Sequence, residues 1–404
     1  MGLRGVLANE TGLGKVVQSA WIRSSYLRVR PELESRGTLS TSVNKGLSIA
    51  MISDVNKNPT AMTEMFVPVP NSLTSADENF RARCAQPSVL NCQGFDSILT
   101  FKTLVNTGAM TDGFNYINAT HVKRDTTTFL SGGSSANFSI PSGAGVNGPG
   151  ANWWAFFGQG TKNKRFGNNT TFYVQFAFRA DSAWTSTNWT KYGCPGCKTA
   201  PKIAIFHSVN SGACASQEIT THNHNAMNLP TIYTECGNRA AYTGADGMDY
   251  SEGGPEIYLQ QGWKAPAPFT GYQTEYNFGG SGASAGPKAF HFMSNQWYTI
   301  YYKIHVGTLA PSGGPPVLDS SIEAWIAPYG QPMRKWVDVR KFPLFNDPPG
   351  NCDNLSPCPP YNVLELTQFM TGKNSNDGSP EANVWYDELI ISTQPIQAPF
   401  GPTP

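Results

Sequence analysis

Four segments of the chain alternate apolar side chains with polar or aromatic ones: 173–179 (YVQFAFR), 217–224 (QEITTHNH), 256–261 (EIYLQQ) and 299–306 (TIYYKIHV). Since successive side chains of a β-strand point to opposite faces, each segment predicts a strand with one core face and one polar face. The solvent face of an ordinary strand is rich in Lys, Glu and Thr, whereas these faces carry Tyr, His, Gln and Arg. We interpret that composition as typical of a sheet that grips a ligand.

The composition points to an all-β protein. The chain has 404 residues, among them 40 Gly and 30 Pro, and 12% of its residues are aromatic. These values indicate many turns and loops rather than long helices. Charge is balanced at 29 Lys+Arg against 28 Asp+Glu. Without a basic stripe the sequence predicts no nucleic-acid partner, and without an apolar run near ~20 residues it predicts no membrane span.

Eight cysteines form four pairs that are local in sequence: Cys84/Cys92, Cys194/Cys197, Cys214/Cys236 and Cys352/Cys358. An even number of cysteines in Gly/Pro-rich loops favours disulfides and an oxidising final location. Zinc is the alternative, since Cys194-Pro-Gly-Cys197 resembles half of a zinc knuckle. No second CxxC follows at a fitting spacing, so we expect disulfides.

Three stretches of the region 166–396 resemble strands of one known superfamily. FYVQFAFRAD resembles the early strand of that superfamily, which leads into its concave sheet. QWYTIYYKIHVGT and SSIEAWIAP resemble two strands that lie side by side in that superfamily. FMTGKNSNDGSPEANVWYDELIIST resembles its closing loop and final strand. The region therefore resembles the concanavalin-A-like lectin/glucanase superfamily, which includes jelly-roll polysaccharide lyases. The resemblance implies an all-β, β-sandwich jelly roll with an extended N-terminal arm and long loops.

Two catalytic patterns of that superfamily are not matched. The ExDxxE strand of its laminarinase-type glucanases is absent. The alginate-lyase pattern, a Q-x-H strand beside a Tyr-containing strand, is only echoed by 217–222 and by Glu256-Ile-Tyr258. The resemblance is specific for the fold and weak for any one activity, because this fold hosts many functions.

Lyase chemistry needs a group that neutralises a uronate carboxylate and a base that removes a proton from C5, roles that suit Arg, Gln, His and Tyr. The candidate catalytic residues are Arg179, Glu218, His222 and Tyr258. The candidate substrate-binding residues are Gln175, Gln260, Tyr301, Lys303, His305 and Trp325. A retaining hydrolase would instead need two carboxylates roughly 5–5.5 Å apart, for which Glu218, Glu256 and Glu323 are candidates.

Plainer interpretations of these residues stay open. Glu218 and Lys303 could form cross-strand ion pairs only. Trp153 and Trp154 could stack on sugar rings or plug one end of the sandwich. The sequence predicts no required cofactor. For Asp387, a structural Ca²⁺ ligand and a carboxylate that caps a turn are both open, since Ca²⁺ prefers carboxylate and carbonyl oxygens.

The expected organisation is a region of residues 1–75 that forms an N-terminal arm or small subdomain, a jelly roll over 76–396, and a Pro-rich tail over 397–404. The N-terminus has no recognisable signal peptide, although the cysteines suit an oxidising exterior. Release by lysis as part of a virion, another export route, or a wrongly assigned start would each reconcile the two. We therefore expect an extracellular or virion-surface location.

The leading functional hypothesis is recognition of an extracellular polysaccharide on the concave face of the jelly roll, with or without lyase-like cleavage. The alternative is a structural or decoration protein of a virion or surface assembly that self-associates or packs against capsid or appendage subunits. An open groove that joins Arg179, His222 and Tyr258 would favour the enzyme, and a face filled by other parts of the chain would favour the assembly protein.

Overall fold

The computed structural model describes residues 75–97, 114–117, 120–145, 151–157, 164–207, 218–223, 228–235, 270–271, 290–308, 317–342, 344 and 361–404. Regular structure in these ranges is almost entirely β. The helices are α1 (Ala76–Cys84) and α2 (Ser182–Ser186). The strands are β1 (Val89–Gln93), β2 (Phe114–Ile117), β3 (Val122–Asp125), β4 (Ser135–Ile140), β5 (Asn152–Phe156), β6 (Thr170–Ala180), β7 (Lys202–His207), β8 (Glu218–Asn223), β9 (Pro230–Glu235), β10 (Thr270–Gly271), β11 (Trp297–Val306), β12 (Ser320–Pro328), β13 (Arg334–Phe342), β14 (Val363–Thr367) and β15 (Ala382–Ser392).

The strands form two antiparallel sheets, so the predicted all-β sandwich is confirmed. In the described ranges the larger sheet has the order β10-β13-β12-β11-β6-β15-β4-β3, and β1 pairs with the second half of β15 beside β4. The smaller sheet has the order β2-β5-β14-β7-β8-β9. Neighbours in these orders are mostly distant in sequence, which is typical of sandwiches built from long crossovers.

The core lies between the two sheets and is made by every second residue of each strand. On β6, Phe172, Val174, Phe176 and Phe178 are fully buried there. Tyr302 of β11 reaches across the core, where its hydroxyl lies 2.9 Å from the Thr221 hydroxyl of β8. A buried hydroxyl needs such a partner, since leaving it unpaired costs about 1–3 kcal/mol.

The segments predicted from alternation at 173–179, 217–224 and 299–306 are confirmed as β6, β8 and β11. The two stretches expected to lie side by side do so: β11 and β12 pair with Tyr301 opposite Trp325. The predicted strand at 256–261 lies outside the described residues. The division into an arm, a jelly roll and a tail stays a prediction.

The short helix α1 lies against the outer face of the larger sheet. Ser75 caps its first turn by accepting the Glu78 backbone N–H at 3.2 Å. Asp77 and Glu78 occupy the first turn, and Arg81 and Arg83 the last, which complements the helix dipole. The disulfide between Cys84 and Cys92 joins the end of α1 to β1.

Candidate functional site

The structure divides the predicted site residues between two faces that point away from each other. Arg179 and Tyr301 lie on the outer face of the larger sheet, since their neighbours Phe178 and Tyr302 fill the core. His222 lies on the outer face of the smaller sheet, because Thr221 points inward to Tyr302. The prediction of one groove that joins these residues is therefore wrong, since the whole thickness of the sandwich separates the two faces.

Part of the larger sheet's outer face is covered. Gln175 has no exposed surface, Tyr301 is 1% exposed and Trp325 is 7% exposed. The last two pack with Phe80 of α1 and with Ile396, which follows β15. These three side chains were expected to bind substrate, and in this structure other parts of the chain occupy the space above them.

A buried ion pair holds this cover in place. The Arg83 guanidinium donates to Glu388 Oε2 at 2.5 Å and to Gln175 Oε1, while its Nε donates to Asn79 Oδ1 at 2.7 Å. Glu388 sits at a β-bulge in β15 with a φ of 49°. Such a bulge re-aims a side chain, here under α1. Burial raises the pKa of Glu388, although the Arg83 guanidinium acts in the opposite direction.

The residues after β15 complete the cover. The Ile396 backbone N–H donates to the Tyr301 hydroxyl at 3.2 Å, and Gln175 Nε2 donates to the Gln397 carbonyl at 3.3 Å. Asn79 of α1 donates to the Pro399 carbonyl at 2.9 Å. The segment predicted as a Pro-rich tail thus begins by packing against the sheet and against α1.

Beyond the cover, the same face carries a network of ion pairs. Glu323 accepts from Lys303 at 2.9 Å and from Lys335 at 2.8 Å. Burial would raise the pKa of Glu323, but the hydrogen bonds from the two lysines outweigh it and hold that pKa below its ordinary value. Lys303 therefore has the plainer of its two predicted roles, a cross-strand ion pair, and Glu323 is not paired with a second free carboxylate.

His305 and Arg179 lie at opposite ends of this face. The Nδ1 atom of His305 is 3.0 Å from the Thr171 hydroxyl on β6. Arg179 is only half-buried, and the Trp385 ring lies beneath its guanidinium at 5.6 Å. Neither residue lies beneath α1.

The outer face of the smaller sheet brings together three residues that strand order makes neighbours. Trp154 of β5 is opposite Glu365 of β14, and His207 of β7 is opposite Val363, two residues before Glu365 on the same face of β14. His207 Nε2 lies 3.5 Å from Glu365 Oε2. The Trp154 and His207 rings meet edge to face, with their centroids 5.2 Å apart.

This trio, which we call the His207 cluster, has the chemistry of a proton-transfer site. Imidazole is the side chain best suited to exchange protons near neutral pH. A carboxylate beside an imidazole can orient the ring for such a transfer. Trp154 adds an amphipathic ring of the kind that suits sugars. The outer face of β8 adds Glu218, Thr220 and His222, of which Thr220 is fully buried.

Sequence reasoning missed His207 and Glu365. His207 ends the apolar run KIAIFH, and Glu365 interrupts the apolar run VLELT. Each was a polar residue in an otherwise buried strand, a recognisable signal. The two tryptophans differ: Trp153 is in the core at 1% exposure, whereas Trp154 lies on the outer face of the smaller sheet.

Asp387 contacts the loop before β4. Its Oδ2 accepts the backbone N–H groups of Leu130 and Ser131, at 2.8 and 3.2 Å. Burial raises its pKa well above the ordinary value, while the Leu130 hydrogen bond acts in the opposite direction. These contacts are those of a loop-holding carboxylate. Within the described ranges no group of three His, Cys, Asp or Glu side chains is placed to hold a metal ion.

Two of the four predicted cysteine pairs are disulfides: Cys84–Cys92 and Cys194–Cys197, with Cα atoms 5.8 and 5.4 Å apart. The remaining predicted residues lie outside the described part of the chain: Tyr258, Gln260, Glu256, Cys214, Cys236, Cys352 and Cys358. In the described part, no helix is long and apolar enough to cross a membrane.

No protein-family model matches the chain, and no curated protein matches it. Several solved structures are distantly similar to it. An alginate lyase from a Chlorella virus has a TM-score of 0.40 at 12% identity, covering 75% of this chain and 99% of its own. The PL-14 alginate lyase from Aplysia kurodai has a TM-score of 0.38 at 10% identity, covering 68% and 88%.

The binding domain of botulinum neurotoxin serotype D is also similar, with a TM-score of 0.33 at 10% identity, covering 76% of this chain and 48% of its own. At these values the similarities carry no argument about activity. The function must be argued from the site itself.

Proposed function

We propose that this protein binds an extracellular polysaccharide on the outer face of its smaller sheet and cleaves it by a lyase-like reaction at the His207 cluster. The observation that carries the proposal is the 3.5 Å contact between His207 and Glu365, with the Trp154 ring against the imidazole. A β-elimination requires a base that removes a proton next to a carboxylate, and a carboxylate-oriented imidazole suits that role.

The burial of the cluster distinguishes it from an ordinary exposed polar surface. His207 is 5% exposed and Glu365 is 8% exposed, although both lie on an outer face. Away from water a proton-transfer pair acts in a lower effective dielectric, where the interaction of its charges is stronger. His222 and Glu218, on the neighbouring strand β8, are the predicted site residues that share this face.

The oxidising location is part of the same proposal. The Cys84–Cys92 and Cys194–Cys197 disulfides support an extracellular destination, because reducing compartments keep cysteines in the thiol form. Polysaccharides that contain uronic acids are the substrate class, since a carboxylate beside the abstracted proton acidifies it. Recognition without cleavage would use the same face.

The test is incubation with a panel of uronate-containing and neutral glycans, monitored by the absorbance of unsaturated ends and by reducing-sugar release. We expect unsaturated ends from a uronate polymer only. His207→Gln should lower kcat by about 10²–10⁴-fold, the usual contribution of a general base, with glycan binding retained. His305→Gln, on the opposite face, is the matched control and should retain activity.

Two outcomes would reject this proposal. One is a His207→Gln variant as active as the wild type. The other is the absence of unsaturated ends with every glycan. Absence of both cleavage and glycan binding, with defined self-association in light scattering, would favour the assembly protein instead.

A further inference from the structure

The part of the larger sheet's outer face away from α1 carries a straight row of residue types that bind sugars, of which Trp297 is 8% exposed, Lys123 is exposed and the rest are half-buried. Five neighbouring strands place these residues in register, on β11, β6, β15, β4 and β3. The members, which we call the Arg179 row, are Trp297, Arg179, Trp385, Asn137 and Lys123. With strands about 4.8 Å apart, the row is roughly 19 Å long, enough for an extended ligand.

Arg179 has no carboxylate partner in the described part of the chain. Its one hydrogen bond there is a long one, 3.4 Å from Nη2 to Asn295 Oδ1. Its Nε is buried without an acceptor. Arg83, by contrast, uses its guanidinium on Glu388, Gln175 and Asn79. A planar guanidinium without an internal anion is suited to receive an external one.

The orientation of Arg179 is set by Trp385. The guanidinium carbon lies 5.6 Å from the centre of the indole ring. The ring is itself held, because Trp385 Nε1 donates to Asp125 Oδ2 at 2.7 Å. A guanidinium held against an aromatic face loses less freedom on binding, which favours affinity.

Among the described residues, Asp125 and Asp181 on the neighbouring strand and loop already accept hydrogen bonds. Asp125 accepts from Trp385 and, at 2.7 Å, from the Thr127 backbone N–H. Asp181 accepts the backbone N–H groups of Trp184 and Asn383, at 2.7 and 2.8 Å. No acidic residue belongs to the row itself, so its own charge is positive, from Arg179 and the exposed Lys123.

We propose that the Arg179 row is a binding site for an acidic polysaccharide, separate from the His207 cluster, in which Arg179 pairs with the carboxylate of a uronic acid unit. The side-chain amides of Asn137 and the exposed Asn295 lie on either side and bind sugar hydroxyls. The row holds the polymer on the sheet opposite the cleavage site. The choice of polymer rests on the proposed function, whereas the anion-binding geometry does not.

The test measures binding apart from cleavage. Isothermal titration calorimetry with a defined uronate oligosaccharide is carried out in the His207→Gln background, where the ligand stays intact. Because the smaller sheet also binds the polymer, we expect two binding events, and adding Arg179→Gln should weaken one of them by about tenfold or more, the typical loss of a hydrogen bond between charged groups. Arg179→Lys should recover only part of it, because an ammonium lacks the planar fork.

Arg340→Gln is the matched control. It removes the same charge from the same face, but Arg340 is already paired with Asp338 at 3.0 Å, so binding should not change. A neutral oligosaccharide of equal length should bind wild type and Arg179→Gln alike. Sodium acetate at the same concentration should not displace the oligosaccharide, which separates polymer binding from capture of a free carboxylate.

The inference is overturned if Arg179→Gln binds the uronate oligosaccharide as tightly as its parent, or if Arg340→Gln weakens binding equally. Failure of the proposed function looks different: no glycan yields unsaturated ends, yet the Arg179-dependent binding persists. Circular dichroism of each variant must match the wild type, so that a folding defect is not taken for lost binding.

Discussion

Two arginines on the same face of the larger sheet have opposite surroundings. Arg83 is 1% exposed and closes a network with Glu388 and Gln175 beneath α1. Arg179 lies four positions beyond Gln175 on the same strand, β6, and is half-buried without an acid partner in the described chain. The comparison teaches that a face with one alternating pattern can be buried in its middle and partly exposed at its end.

The largest contrast is expected in stability. Arg83→Met leaves Glu388 buried without its counter-charge, so we expect a loss of about 3–5 kcal/mol in the free energy of unfolding. Arg179→Met should cost about 1 kcal/mol or less, because Arg179 is half-buried but has no ion pair to lose. Urea denaturation measures both. Adding Glu388→Gln to Arg83→Met should recover part of the loss, and equal costs for the two single variants would contradict the comparison.

The second largest effect is expected when the Cys84–Cys92 disulfide, which joins α1 to β1, is removed. Cys84→Ser with Cys92→Ser opens an eight-residue separation and should lower the free energy of unfolding by about 2–3 kcal/mol through unfolded-state entropy. Limited proteolysis should then cut near α1 sooner than elsewhere. The control is Cys194→Ser with Cys197→Ser, which leaves α1 attached. Early cutting near α1 in the control as well would show that this disulfide does not hold the cover.

The smallest effect is expected at the ion-pair network of Glu323, which lies on the other side of the cover from Arg179. Because the pKa of Glu323 in the folded state lies below its ordinary 4.5, its ion pairs add stability above that pH and lose it as the pH falls through the folded value. Glu323→Gln should therefore cost about 1 kcal/mol at pH 7, a value reduced by the partial exposure of Lys303 and Arg340.

Below the ordinary pKa of Glu323, the difference in the free energy of unfolding between Glu323→Gln and wild type should shrink. Screening by 1 M salt should also reduce this difference. Thermal unfolding over pH 3–7 measures both trends. A difference that grew in acid would mean that the carboxylate is protonated in the folded state at neutral pH.

Local pattern was enough to predict much of the fold. The alternation of Val174, Phe176 and Phe178 specifies one buried face of β6, because strand geometry alone sends every second side chain to the same side. Cys84 and Cys92 are eight positions apart, so their pairing required little knowledge of the rest of the chain. The all-β class could likewise be predicted without the tertiary structure, from the content of glycine, proline and aromatic residues.

The candidate site could not be predicted in this way. His207 and Glu365 meet because β7 and β14 pair, a non-local choice that no single strand encodes. Arg179 and His222 looked alike in sequence, as polar residues of alternating strands, yet they belong to different sheets and face opposite ways.

The sequence by itself determined which residues form strands and which side of each strand is apolar, since both depend on a period of two residues. Only the tertiary structure decided which strands share a sheet, and which part of a polar face stays open. Gln175 is buried because α1 and the segment after β15, remote in sequence, pack over it. Arg179 stays half-exposed because α1 and that segment lie over other rows of the sheet.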